Sequence, residues 1–97
     1  MKSWFELIFD EVRQIPSGKV STYGAIAAKV GCNPRVIGYA LHRNPSSDST
    51  PCHRVVFKNG ALTPGYVFGG EGEQRRKLEA EFIVFDSKGC VRKEYFI

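Results

Sequence analysis

Cysteine and histidine stand side by side in Pro51-Cys52-His53-Arg54-Val55-Val56, a nucleophile next to a base. A thiol attacks carbon as its thiolate, so an imidazole, a helix N-terminus or nearby cations must draw its pKa below the free value of about 8.5. Adjacency alone does not join the two. In an extended chain consecutive side chains face opposite sides, and Cys52 and His53 meet only through a turn or a bridging water. Pro51 favours a turn, because its ring fixes its own backbone angle and pushes Thr50 out of the helical region. Free cysteine is also among the most buried residue types, so the alternative to a catalytic Cys52 is a structural thiol.

Other chemistry-bearing patterns are sparse. Cys32, Cys52 and Cys90 form no C-x-x-C pair, and neither His42 nor His53 stands at zinc-ligand spacing from a cysteine pair, so no metal site is expected. Cys32 and Cys90 read as structural thiols. The glycine-rich stretch 61–72 is long for so small a domain and reads as a functional or mobile loop. No Gly-Lys-Ser or Gly-Lys-Thr follows it, so it is not a phosphate cradle, and no cofactor is expected.

Several elements must position the pair. At 97 residues the chain is expected to form one domain with a single core. Ser3-Trp4-Phe5-Glu6 is a capping box, and Trp4, Ile8, Val12 and Ile15 share a helical face, which predicts a core helix with Trp4 on its buried stripe. Pro16-Ser17-Gly18 ends it. Ser21 or Thr22 caps a second helix that runs to Val30, with Gly31 as its left-handed terminator. Asn33-Pro34 starts a third helix over about residues 34–43, stopped by Asn44-Pro45. Two short helices joined by so tight a connection make a helix-turn-helix, whose second helix commonly enters a DNA groove. Arg35, in its first turn, is a surface residue or a DNA contact, and Tyr23 is by default a core aromatic with a satisfied hydroxyl.

Beyond the central motif, Val55-Val56-Phe57 reads as a strand and Asn59-Gly60 as a tight turn. A fourth helix is expected over residues 73–81, then two strands, 83–85 and 91–96, around a turn. This order is mainly α with a small β component, like a winged helix-turn-helix DNA-binding domain. The net charge of +4 and pI near 9.1 favour an anionic partner. Arg75-Arg76-Lys77, the only basic run, reads as a solvated face. With no leader or long apolar run read in the sequence, the expectation is a protein of the reducing cytoplasm, away from membranes, with a monomer as the default.

The stretches Lys19-Val20-Ser21-Thr22-Tyr23-Gly24, Asn33-Pro34-Arg35-Val36-Ile37-Gly38, Arg43-Asn44-Pro45 and Pro51-Cys52-His53-Arg54-Val55-Val56 occur in the order and spacing of the DNA-binding domain of O6-alkylguanine-DNA alkyltransferases. The chain resembles that family over most of its length. It is also similar to the alkyltransferase-like proteins, which recognise alkylated guanine with tryptophan or alanine in place of the reactive cysteine.

The resemblance implies a DNA repair protein whose Cys52 takes the alkyl group irreversibly from O6-alkylated guanine in double-stranded DNA. His53 would relay the thiol proton through a water, Glu81 would orient His53, and Asn44 would brace the turn. Tyr23 would help rotate the nucleotide and donate to the guanine. Arg35 would fill the space left by the flipped base, with the third helix in the minor groove and Gly38 and Arg54 also at the DNA. Tyr66, Val67, Phe68, Gly69 and Gly70 would wall the base pocket.

The chain departs from the family pattern in several places. Residues 1–97 are expected to form a single domain of the alkyltransferase DNA-binding type, without the N-terminal domain usual in the family. Val36 and Tyr39 replace small residues, Phe68 replaces a serine, and Phe82 stands where glycine normally follows Glu81. The alternative function is that of a binding-only relative, which flags alkylated guanine for downstream repair proteins. The third is a plain helix-turn-helix regulator with an incidental cysteine.

Overall fold

A computed structural model describes residues 3–97, apart from the side chain of Glu71. Helix α1 spans Trp4–Arg13, where the Ser3 hydroxyl accepts the Glu6 N–H and closes the first turn. Ile8, Val12 and Ile15 are buried, as the helical spacing requires. Trp4 is not; it is 53% exposed. Phe5 and Phe9 pack against the core and pull the centre of the apolar face about a quarter turn away from Trp4.

Strand β1 (Ser21–Thr22) leads directly into α2 (Tyr23–Val30). The Thr22 hydroxyl caps α2 by accepting from Ala25 N–H, and Gly31 ends it at a φ of 87°. Helix α3 (Pro34–His42) begins as expected, with the Asn33 side chain accepting from Arg35 N–H and proline in the first turn. Helices α1, α2 and α3 enclose one core around Ile8, Val12, Ile26, Ile37 and Leu41.

The chain then makes a 3-10 turn over Cys52–Arg54 and enters β2 (Val55–Val56). Strands β1 and β2 pair in parallel, with Ser21 opposite Val55 and Thr22 opposite Val56. The α2–α3 hairpin is thus the crossover between them. A second core gathers Val20, Val56, Leu62, Leu78, Ile83 and Val91.

Helix α4 spans Gly70–Ala80, three residues earlier than the sequence predicts, because the paired glycines that read as loop form its cap and first turn. The C-terminal strands are reduced to single bridges. Phe85 pairs with Val91, Val20 pairs with Phe96, and a 3-10 turn occupies Lys93–Tyr95. At the Asn59-Gly60 turn, Gly60 N–H donates to Phe57 O, and the turn docks against Val91. A Cβ on Gly60 would lie 2.4 Å from Val91 O, so glycine is required there. The architecture is mainly helical with a two-stranded sheet, in the winged helix-turn-helix manner.

Candidate active site

The 3-10 turn resolves how neighbouring Cys52 and His53 serve one site: it turns their side chains toward different surroundings. Cys52 is 4% exposed and forms part of the wall of a cavity of about 460 Å³. Tyr23, Pro34, Arg35, Gly38, Phe57, Tyr66 and Val67 line the same cavity, so the start of α3 and the start of α2 both open onto the thiol. His53 borders a second, polar recess with Arg13, Ser47, Pro51 and Arg54.

His53 is held from one side. Its Nε2 lies 2.6 Å from Glu81 Oε2, and Glu81 follows the last turn of α4. A carboxylate only accepts, so the imidazole carries its proton on Nε2, and the lone pair falls on Nδ1. Nδ1 is buried and has no hydrogen-bond partner. Glu81 is itself held by Arg54, whose Nε and Nη2 reach its two oxygens at 2.9 to 3.1 Å, and by Gly18 N–H at 2.9 Å. Arg54 Nη1 donates to Ile15 O. Arg54, expected at the DNA, is therefore committed inward as the brace of Glu81.

The charges follow from these contacts. Burial pushes the His53 pKa down, and Glu81 opposes this without cancelling it, so the imidazole is neutral at neutral pH. Burial pushes the Glu81 carboxyl up, but Arg54, His53 and Gly18 N–H together outweigh it and hold the group below the usual carboxylate range. Burial raises the Cys52 thiol; Asn44, the Lys77 ammonium and the Tyr66 hydroxyl pull the other way.

Asn44 is buried and ties the turn to its approach: its Nδ2 donates to Thr50 O, its Oδ1 accepts from Ser46 N–H, and it draws the thiol pKa down. Tyr23 is half-buried, its hydroxyl 2.6 Å from Thr63 Oγ1 and its ring 5.5 Å from that of Phe57. Burial raises its pKa, so it remains a proton donor. Arg35 is exposed at the cavity mouth. A Cβ on Gly38 would meet the Tyr23 ring only at 3.9 Å, so the fold does not demand glycine there. Of the loop residues, Tyr66 and Val67 line the cavity. Phe68 packs against the helical core, Gly69 caps α4 and Gly70 begins it, so these three lie outside the lining.

Sequence reasoning missed Gln74. It is 1% exposed, and its Nε2 donates to His53 O and Val55 O while its Oε1 accepts from Thr63 N–H. It joins the nucleophile turn to the cavity wall. The only available signal was its spacing one turn before the buried Leu78. Lys77, whose Nζ donates to Tyr66 Oη and Ser47 Oγ, was read as part of a solvated face. Among the described residues no group of three or more potential ligands forms a metal site, and no helix is long and apolar enough to cross a membrane.

Fold and site together define a class: a helix-turn-helix domain with a cysteine in the wall of a cavity flanked by its second helix. The sequence profile described as the 6-O-methylguanine DNA methyltransferase DNA binding domain matches residues 3–83, and the chain belongs to this family. A methylated-DNA–protein-cysteine methyltransferase of Methanocaldococcus vulcanius is 42% identical over 83 residues, 86% of this chain and 50% of that protein. The chain thus spans about half the length of the curated relatives it matches. S. pombe Atl1, solved with damaged DNA containing O6-carboxymethylguanine, is 32% identical with a TM-score of 0.82, over 100% of this chain and 98% of that one. The O6-methylguanine methyltransferase of Mycobacterium tuberculosis is 35% identical with a TM-score of 0.72, over 84% of this chain and 49% of that one.

Proposed function

We propose that this protein binds double-stranded DNA, extrudes O6-alkylated guanine into the 460 Å³ cavity and takes the alkyl group onto Cys52. The observation that carries the reading is the juxtaposition of a cavity-lining thiol with a neighbouring histidine whose other nitrogen is fixed by a part-buried carboxylate. Extrusion is needed because a thiolate cannot line up behind an alkyl carbon inside a stacked base pair. The thiol proton leaves towards His53 Nδ1, and the sulfur attacks the alkyl carbon. The S–C bond forms as the C–O bond breaks, and guanine departs as an anion that takes a proton with Tyr23 as donor. The product is a thioether, so each molecule acts once. Arg35, exposed at the cavity mouth, fills the stack behind the flipped base.

A second reading has its own support. The chain matches Atl1 over nearly the whole of that protein, and the Cys52 thiol is raised rather than lowered. In that reading the protein marks alkylated guanine for downstream repair proteins without accepting the group.

Incubation with duplex DNA carrying O6-methylguanine, followed by intact mass and peptide mapping, tests both. One methyl group on Cys52, absent from Cys52→Ser, is the expected result. Selective lesion binding with no gain in mass carries the second reading instead. Equal binding to damaged and undamaged duplexes would overturn both.

A further inference from the structure

Lys77 lies on α4. Its Nζ donates to Tyr66 Oη at 3.0 Å and to Ser47 Oγ at 3.1 Å, and lies 5.4 and 5.3 Å from the Tyr66 and Phe68 ring centres. Tyr66 is 7% exposed and lines the same cavity as Cys52, where its hydroxyl and the Lys77 ammonium both draw the thiol pKa down. The direction of this chain is fixed by chemistry. An ammonium only donates, so the Tyr66 oxygen accepts from Lys77 and its one proton is left free for an acceptor in the cavity that the sulfur lines. A thiolate accepts that proton well and a thiol does so weakly, so the arrangement favours the charged sulfur.

We infer that Lys77 is a positioning residue for the nucleophile, acting through the Tyr66 hydroxyl to hold Cys52 as thiolate in an apolar cavity. This rests on the proposed role of Cys52 and adds a support for the nucleophile besides His53. The base removes the proton; the lysine and tyrosine keep the resulting anion from recapturing it.

The other groups near the sulfur leave this contribution visible. Tyr23 and Tyr66 are both raised by burial and stay neutral well into alkaline pH. Asn44 does not titrate. His53, tied to Glu81, which Arg54 holds in turn, titrates below its ordinary value. Glu73, one turn before Lys77, is engaged by Arg76.

The test needs no DNA. In a Cys32→Ser, Cys90→Ser background, carbamidomethylation of Cys52 by iodoacetamide is followed by mass spectrometry from neutral to alkaline pH. Lys77→Met and Tyr66→Phe should each move the midpoint alkaline by about one unit, roughly a tenfold loss of rate at neutral pH, and Lys77→Arg should restore it. Circular dichroism checks that each variant is folded, and Tyr66→Phe serves if Lys77→Met is not. A midpoint in either folded variant equal to that of the parent overturns the inference. A shifted midpoint in a protein that takes no alkyl group from DNA would instead sink the transfer reading and leave this one standing.

Discussion

On one side of the Cys52–Arg54 turn a single carboxylate gathers its neighbours; on the other an apolar cavity stands open. The side facing Glu81 holds an imidazole, a guanidinium and a backbone N–H on a single carboxylate. The side facing Tyr23 and α3 is an apolar cavity with the thiol in its wall. The difference teaches where rigidity is needed. A base is useful only when its tautomer and angle are fixed, so hydrogen bonds are concentrated there. A nucleophile needs a vacancy for its substrate, so packing is sacrificed there.

Breaking the crowded side should give the largest effect. Glu81→Ala leaves Arg54, His53 and Gly18 N–H without their acceptor and should cost about 3–5 kcal/mol of stability in urea unfolding. Cys52→Ala, on the open side, should cost only about 1 kcal/mol. Comparable losses in the two variants would erase the contrast. Gln74→Leu comes next. It strands Thr63 N–H and the carbonyls of His53 and Val55 in the interior, and about 2–3 kcal/mol should be lost despite the gain in apolar surface. Unchanged unfolding would mean that those groups find other partners.

Acid titrates the same asymmetry. The folded-state pKa of His53 is lowered, so the unfolded chain binds the proton first, and the stability this group contributes is complete above about pH 6.5 and lost as pH falls below it. Glu81 is also lowered, and its contribution is lost in a second window below about pH 4.3. Thermal melts should therefore fall in two acid steps, with the upper one missing in His53→Gln. Both steps retained in that variant would remove His53 from the account.

How much of this was legible in the sequence depends on how local the signal was. The starts of α1, α2 and α3 were readable because Ser3, Thr22 and Asn33 declare themselves within three residues. The C-terminal strands were not. Ile83, Val84, Phe85 and residues 91–96 have strand-forming composition, but only single bridges form, and their burial is decided by the second core rather than by a ladder. Within the site, the resemblance named Cys52, His53 and Glu81, and the structure brings His53 and Glu81 into contact. It gave no hint that Arg54 turns inward, nor of Gln74 or Lys77, because a glutamine and a lysine in a polar helix carry no mark of the cavity beneath them.

The smallest expected effect is a gain, at the residue that follows Glu81. Phe82 N–H donates to Glu79 O and Ile83 N–H to Leu78 O, the paired bonds that close a helix when the residue after its cap is left-handed. Leu78 and Ile83 meet in the second core, which completes the motif. Glycine is the usual occupant of the left-handed position, yet here it is Phe82, at a φ of 68° and 88% exposed. The backbone bends correctly, so Glu81 still reaches His53, but a side chain with a Cβ is held where it costs about 1–2 kcal/mol. Little burial is lost with the ring, and the greater freedom of glycine when unfolded returns part of the gain. Phe82→Gly should raise stability by up to about 1 kcal/mol in urea unfolding and leave the His53–Glu81 contact unchanged. A loss of stability would show that the exposed ring makes a contact worth more than the strain of its backbone.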